Sequence, residues 1–171
     1  MTLSVKTIQG NILDSGADII CHQVNCMGAM NSGVAKAIRK KWPQVYTEYR
    51  NAAMDLSSGD EFCDEDLTWM NMFGHIQPVC IGTAEDGKDR AVINMFAQRG
   101  FGYDGARYTS YDAFWTCLCE IKESITPGRR IAFPARIGCV RGGADWEVIQ
   151  TMIVRVLAKD YIVEFWDYDK G

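Results

Sequence analysis

The stretch His22-Gln23-Val24-Asn25-Cys26-Met27-Gly28-Ala29-Met30-Asn31-Ser32-Gly33-Val34-Ala35-Lys36-Ala37-Ile38-Arg39 decides the fold. The continuous apolar run Ile19-Ile20-Cys21 leads into it, as expected of a strand covered on both sheet faces. Beyond it, Val34, Ile38 and Trp42 recur at helical spacing, and Pro43 then stops or redirects the chain. A strand, a polar loop with glycines and an amphipathic helix therefore follow one another. Such a connection turns backbone N–H groups and a helix N-terminus toward an anion, and here a His and an Asn stand at the strand end beside it.

Outward from this unit, strands and helices alternate without repeats. Leu3 to Gln9 and Ala17 to Val24 read as strands, and a second helix runs from Pro43 to Met54. The segments Ile76 to Gly82 and Ala91 to Phe96 flank the turn-forming Glu85-Asp86-Gly87-Lys88 and predict an antiparallel hairpin. Thr109 is placed to cap a helix whose apolar stripe is Tyr111, Phe114, Trp115, Leu118, Ile121 and Ile125. Arg130 to Phe133 is a short strand, Trp146, Ile149, Ile153, Val156 and Leu157 mark a last helix, and Tyr161 to Trp166 closes the sheet. The pattern predicts a three-layer α/β/α sandwich with a mixed central sheet, in one domain over residues 1–171.

A net charge of -4 argues against general nucleic-acid binding. The cluster Lys36, Arg39, Lys40 and Lys41 reads as a solvated helix face. No apolar run approaches membrane-spanning length, so the expectation is a cytoplasmic protein with no membrane partner. The 7 cysteines are odd in number and include no C-x-x-C pair, which suits reduced, buried thiols better than a disulfide framework or a zinc site. No metal and no cofactor is expected. The acidic stretch Asp55 to Asp66 reads as a solvated loop, because its spacing does not match an ordered calcium loop.

A second loop suits an anion as well: Arg136-Ile137-Gly138-Cys139-Val140-Arg141-Gly142-Gly143 joins a strand to the last helix. Neither loop carries the Gly-Lys-Ser/Thr of a nucleotide P-loop. The formal G-x-G-x-x-G at Gly100 to Gly105 lacks the helix that a dinucleotide fingerprint requires and reads as a plain loop.

Taken in order, Gly10-Asn11-Ile12-Leu13, His22-x-x-Asn25-Cys26-x-Gly28, Gly33-Val34-Ala35 and Arg136-Ile137-Gly138-Cys139 resemble a macrodomain, the ADP-ribose-binding module, from Gly10 to about Tyr168. The resemblance implies ADP-ribose or ADP-ribose 1''-phosphate as ligand. It places Asn11 and Ile12 near the adenine, Asn25 on the distal ribose, Gln98 with Arg99 at the distal end, Gly33 and Val34 at the diphosphate, and Gly138, Cys139, Val140, Arg141 and Gly142 on a second phosphate loop. His22 with Asn25 and Asp145 looks like the yeast-type ADP-ribose 1''-phosphate phosphatase, in which a histidine and an aspartate are the acid and base. A related subgroup, the glycohydrolases that remove ADP-ribose from glutamate or DNA bases, uses a lysine where this chain has Gln98, and an amide cannot form the covalent adduct an amine forms. Three activities share such a cleft: phosphatase, the expectation here; ADP-ribosyl glycohydrolase; and a non-catalytic ADP-ribose reader.

Overall fold

A computed structural model describes residues 4–55 and 71–168. The acidic stretch beyond Asp55 lies outside the described residues, so its reading as a loop is not met here. Six strands, β1 (Val5–Gln9), β2 (Ile19–Asn25), β3 (Ile76–Thr83), β4 (Asp89–Gln98), β5 (Arg130–Pro134) and β6 (Ile162–Asp167), form one sheet in the order β1-β6-β5-β2-β4-β3. All neighbours are parallel except β3 and β4, which form the expected hairpin.

Helices cover both faces, giving the three layers read from the sequence. Alternate residues of β2 point to opposite sides. Ile20 and Val24 pack with Ile38 of α1 (Gly33–Lys41) and with Val45 and Tyr49 of α2 (Pro43–Asp55). Ile19 and Cys21 pack instead with Phe114, Cys117, Leu118 and Ile121 of α3 (Tyr111–Ser124) and Ile149 and Ile153 of α4 (Trp146–Leu157). Strands buried on both faces need continuous apolar sequence, and Val92 to Gln98 of β4 is buried throughout. Among the described residues no helix is long and apolar enough to cross a membrane.

Two local readings are corrected. The cap of α3 is Ser110, whose side chain accepts from Ala113 N–H, rather than Thr109. Two hydroxyls stand side by side in the sequence, and a tertiary hydrogen bond claims the first of them, as described below. Trp115 leaves the apolar stripe, being 39% exposed, and Cys117 fills the core side of that turn.

Candidate functional site

A cleft of about 520 Å³ opens at the carboxyl ends of β2, β4 and β5, the position where ligands of open α/β sheets bind. Its walls are the loop from Asn25 into α1, the loop from β5 into α4, and Phe101 and Tyr103 after β4. The two loops tied together by sequence reasoning are thus neighbours in space.

The first loop is shaped by Asn25. Its Nδ2 donates to Ala29 O over 2.8 Å, and its Oδ1 accepts from the N–H groups of Met27 and Ala29 at 3.0 and 3.3 Å. Tyr49 Oη donates to the Asn25 carbonyl at 2.7 Å and lies 3.0 Å from its Oδ1. Buried polar groups must be paired, and here the pairing folds residues 26–29 back on the strand end. Gly33, at φ +56°, then opens α1. Ser32 precedes it as N-cap, yet its side chain makes no capping bond; its Oγ accepts instead from Arg141 Nη1 of the opposite loop. The first N–H groups of a helix have no intrahelical partner, so those of Gly33 and Val34 border the cleft as donors.

The second loop is packed against a buried amide. Gln23 Nε2 donates to Gln98 Oε1 at 2.6 Å and to Thr109 Oγ1 at 2.8 Å, while Thr109 Oγ1 donates onward to Gly138 O at 2.9 Å. Gln98 Nε2 is spent on Gly100 O at 2.7 Å. This network explains the glycines. A Cβ on Gly142 would collide with Thr109 Oγ1 and Gly138 O and come within 3.1 Å of Gln23 Nε2. One on Gly138, at φ +74°, would stand 2.9 Å from Gln23 Oε1. Side by side, these contacts let the 138–142 backbone lie flat on the strand ends.

His22 lies on the cleft floor, 2% exposed. Its Nε2 is 2.6 Å from Asn94 Oδ1. Asn94 Nδ2 donates to Gln77 Oε1 at 2.9 Å, and Gln77 Nε2 donates to the Glu48 carbonyl at 2.7 Å. A carbonyl only accepts, so the orientation of each amide is forced in turn and Asn94 presents its oxygen to the imidazole. His22 therefore carries its proton on Nε2, and Nδ1 is an acceptor shut from solvent with no partner among the described residues. Burial lowers the His22 pKa from 6.5 to about 4, the Asn94 bond opposing only in part, so the ring is neutral near pH 7.

Of the residues expected at a site, His22, Asn25, Gly33, Val34, Gln98, Gly138, Val140, Arg141 and Gly142 line this cleft. Asn11, Ile12, Cys139 and Asp145 do not. Asn11 accepts from Leu13 N–H at the head of a 3-10 turn, Ile12 is a core residue, and the Cys139 thiol, pushed up to about 11 mainly by burial, lies 3.4 Å from Ile137 O. Asp145 is exposed and caps α4: its Oδ1 accepts from Glu147 N–H at 2.8 Å, and its own N–H donates to Tyr111 Oη at 2.9 Å. Gln23, Ser32, Phe101 and Tyr103 line the cleft but were not singled out from the sequence. A glutamine inside an apolar strand was the available signal for the first; the aromatics sat in the loop read as plain.

No protein-family model matches the chain. It is 36% identical over 61 residues, 34% of its length, to an ADP-ribose 1''-phosphate phosphatase of Aspergillus oryzae, covering 30% of that protein. Over 169 residues it is 22% identical to a DNA ADP-ribosyl transferase-DNA ADP-ribosyl glycohydrolase fusion protein of Thermosipho africanus, covering 93% of this chain and 40% of that one. The chain thus spans less than half the length of either relative. Among solved structures, Thermosipho africanus DarTG in complex with ADP-ribose superposes with a TM-score of 0.73 at 19% identity, over 99% of this chain and 43% of that chain. The macrodomain of Mycobacterium tuberculosis DarG gives 0.67 at 18% identity, over 95% of this chain and 97% of that one. The fold is that of a macrodomain.

Proposed function

We propose that the cleft binds ADP-ribose and that this chain, working as one domain in the cytoplasm, hydrolyses the terminal phosphate of ADP-ribose 1''-phosphate. The observation that carries the reading is His22 on the floor of the cleft, its tautomer fixed by Asn94 and its Nδ1 without a partner and shut from solvent, so that a ligand seated against the floor has to uncover it. The N–H groups of Gly33, Val34 and the 140–142 loop would hold the diphosphate, as oriented dipoles that need no side-chain charge. Asn25 would set the distal ribose by shaping the loop beneath it.

In the hydrolysis, a water oxygen attacks phosphorus and its proton passes to His22 Nδ1. The P–O bond to the 1'' oxygen breaks, and that oxygen takes the proton back from the His22 imidazolium, giving ADP-ribose and inorganic phosphate and restoring the neutral ring. An imidazole with a pKa of about 4 is a weak base in the empty cleft. A dianionic phosphate beside it favours the protonated ring and raises that pKa, so the substrate itself strengthens the base. Asp145, the second group implied by the resemblance, is assigned a positioning role at the end of the 136–143 loop, since its carboxylate is engaged as the cap of α4. The amine-dependent glycohydrolase route is disfavoured: among the described residues no lysine lines the cleft, and the Gln98 amide is committed to Gln23 and Gly100.

The test is ³¹P NMR of ADP-ribose 1''-phosphate with the purified chain. Growth of free phosphate over a protein-free control, abolished in His22→Ala, supports the reading. Bound substrate without phosphate release overturns the phosphatase assignment and leaves a reader. Release of ADP-ribose from a modified protein or nucleic acid instead would identify a glycohydrolase.

A further inference from the structure

The charges around the cleft are unequal in a way the proposed chemistry has not used. Among the described residues no carboxylate lines the cleft, and its two cations are Arg136 and Arg141. Arg136 is neutralised by Asp167, with Nη2 to Oδ1 at 2.8 Å. Arg141 has no carboxylate partner among the described residues. Its Nη1 donates to the neutral Ser32 Oγ, and its Nε is shut from solvent without a hydrogen-bond partner. The guanidinium lies 4.4 Å from the ring centre of Phe101 and 5.2 Å from that of Tyr103. Stacking on an aromatic pair holds a planar cation in place at low entropy cost, and with Nη1 on Ser32 and Nε shut from solvent the Nη2 hydrogens are left for an anion.

The location matters as much as the charge. Phe101 and Tyr103 follow Gln98, and Gln98 pairs in register with Asn25, so the aromatic shelf stands at the strand-end side of the cleft, with His22 and Asn25. The guanidinium bridges the two sides: its Nη1 meets Ser32, the residue before the Gly33 and Val34 donors of α1, while its face lies on Phe101 and Tyr103.

We propose that Arg141 is the specificity residue of this cleft, a pre-positioned guanidinium that selects ligands carrying a phosphate monoester on the distal ribose over ADP-ribose itself. The proposal rests on the ADP-ribose reading above and adds what discriminates within it. A guanidinium meets a dianionic monoester through paired charge-assisted hydrogen bonds, and ADP-ribose, with a hydroxyl at that position, offers no such partner.

Calorimetry tests this with two probes: ADP-ribose, and the 1''-methylenephosphonate analogue of ADP-ribose 1''-phosphate, whose P–C bond is not hydrolysed. The parent is expected to bind the analogue at least tenfold more tightly than ADP-ribose. In Arg141→Gln that preference falls to within twofold because the analogue loses more affinity than ADP-ribose does, and an unchanged melting temperature reports an intact fold. Arg141→Lys, a point charge without the fork, keeps part of the preference. Equal weakening of both ligands in Arg141→Gln would show that the guanidinium reads the diphosphate and overturn the proposal. Survival of the preference in that variant would overturn it too. Failure of the parent to bind ADP-ribose would remove the underlying reading of the cleft instead, a result visible before any variant is made.

Discussion

His22 Nε2 and Asn94 Oδ1 lie 2.6 Å apart, and this one bond determines which imidazole nitrogen is left without a partner among the described residues. Asn94 is 0% exposed and held by Gln77, so it has no freedom to present its amide nitrogen instead. Asn94→Asp keeps the shape and replaces the neutral acceptor by a carboxylate. The expected result is a His22 pKa raised well above about 4, because an adjacent negative charge favours the imidazolium. A ¹⁵N NMR titration of the ring follows it; an unchanged midpoint would show that Asn94 does not control the ring.

Stability should fall with acid through the same residue. The folded pKa of His22 is about 4 against 6.5 for the free side chain, so the unfolded chain binds the extra proton and stability rises with pH across that window. Below pH 6.5 stability is lost progressively until about pH 4, by roughly 3 kcal/mol in all. Urea unfolding of the parent and of His22→Gln at pH 7.5, 5.5 and 4.5 isolates the contribution. The slope between 6.5 and 4 should be shallower in the variant.

Asp145 separates two roles by chemistry. Asparagine caps a helix about as well as aspartate, whereas alanine does not. If the carboxylate only holds the start of α4, Asp145→Asn turns over ADP-ribose 1''-phosphate within a few-fold of the parent, and Asp145→Ala loses about 1 kcal/mol of stability. Loss of turnover in Asp145→Asn at unchanged melting temperature would instead place the carboxylate in the reaction.

Gly142→Ala should be costly although the residue makes no side-chain contact in the parent. The added methyl meets Thr109 Oγ1 and Gly138 O, and overpacking of this kind costs about 1–3 kcal/mol or forces the loop to shift. We expect both a lower melting temperature and at least tenfold weaker binding of ADP-ribose by calorimetry. Normal affinity would mean that the 138–142 loop does not hold the ligand.

Local chemistry was readable in the sequence wherever spacing alone set it. Val34, Ile38 and Trp42 announced α1, Glu85 to Lys88 announced the β3–β4 turn, and the two glycine loops announced the cleft. What escaped was set by partners distant in the chain. Asn94 lies 72 residues from His22, and Thr109 lies 86 residues from the Gln23 that draws it away from capping α3. Asp145 fits both a capping and an acid–base role as a residue type, and the structure adds that its Oδ1 accepts from Glu147 N–H at the start of α4. Phe101 and Tyr103 gained meaning only once Arg141 was found stacked on them.

Gly33 and Gly142 are glycines for different reasons. Gly33 has a φ of +56° and nothing within 4 Å of where a Cβ would stand, so its constraint is handedness alone. A D-alanine introduced there by chemical synthesis would sit in its preferred backbone region and restrict the unfolded chain. Gly142 has no such inverted backbone and is constrained by volume, so a methyl group is costly there because the space is already filled. Gly33 is thus held to glycine by chirality and Gly142 by space.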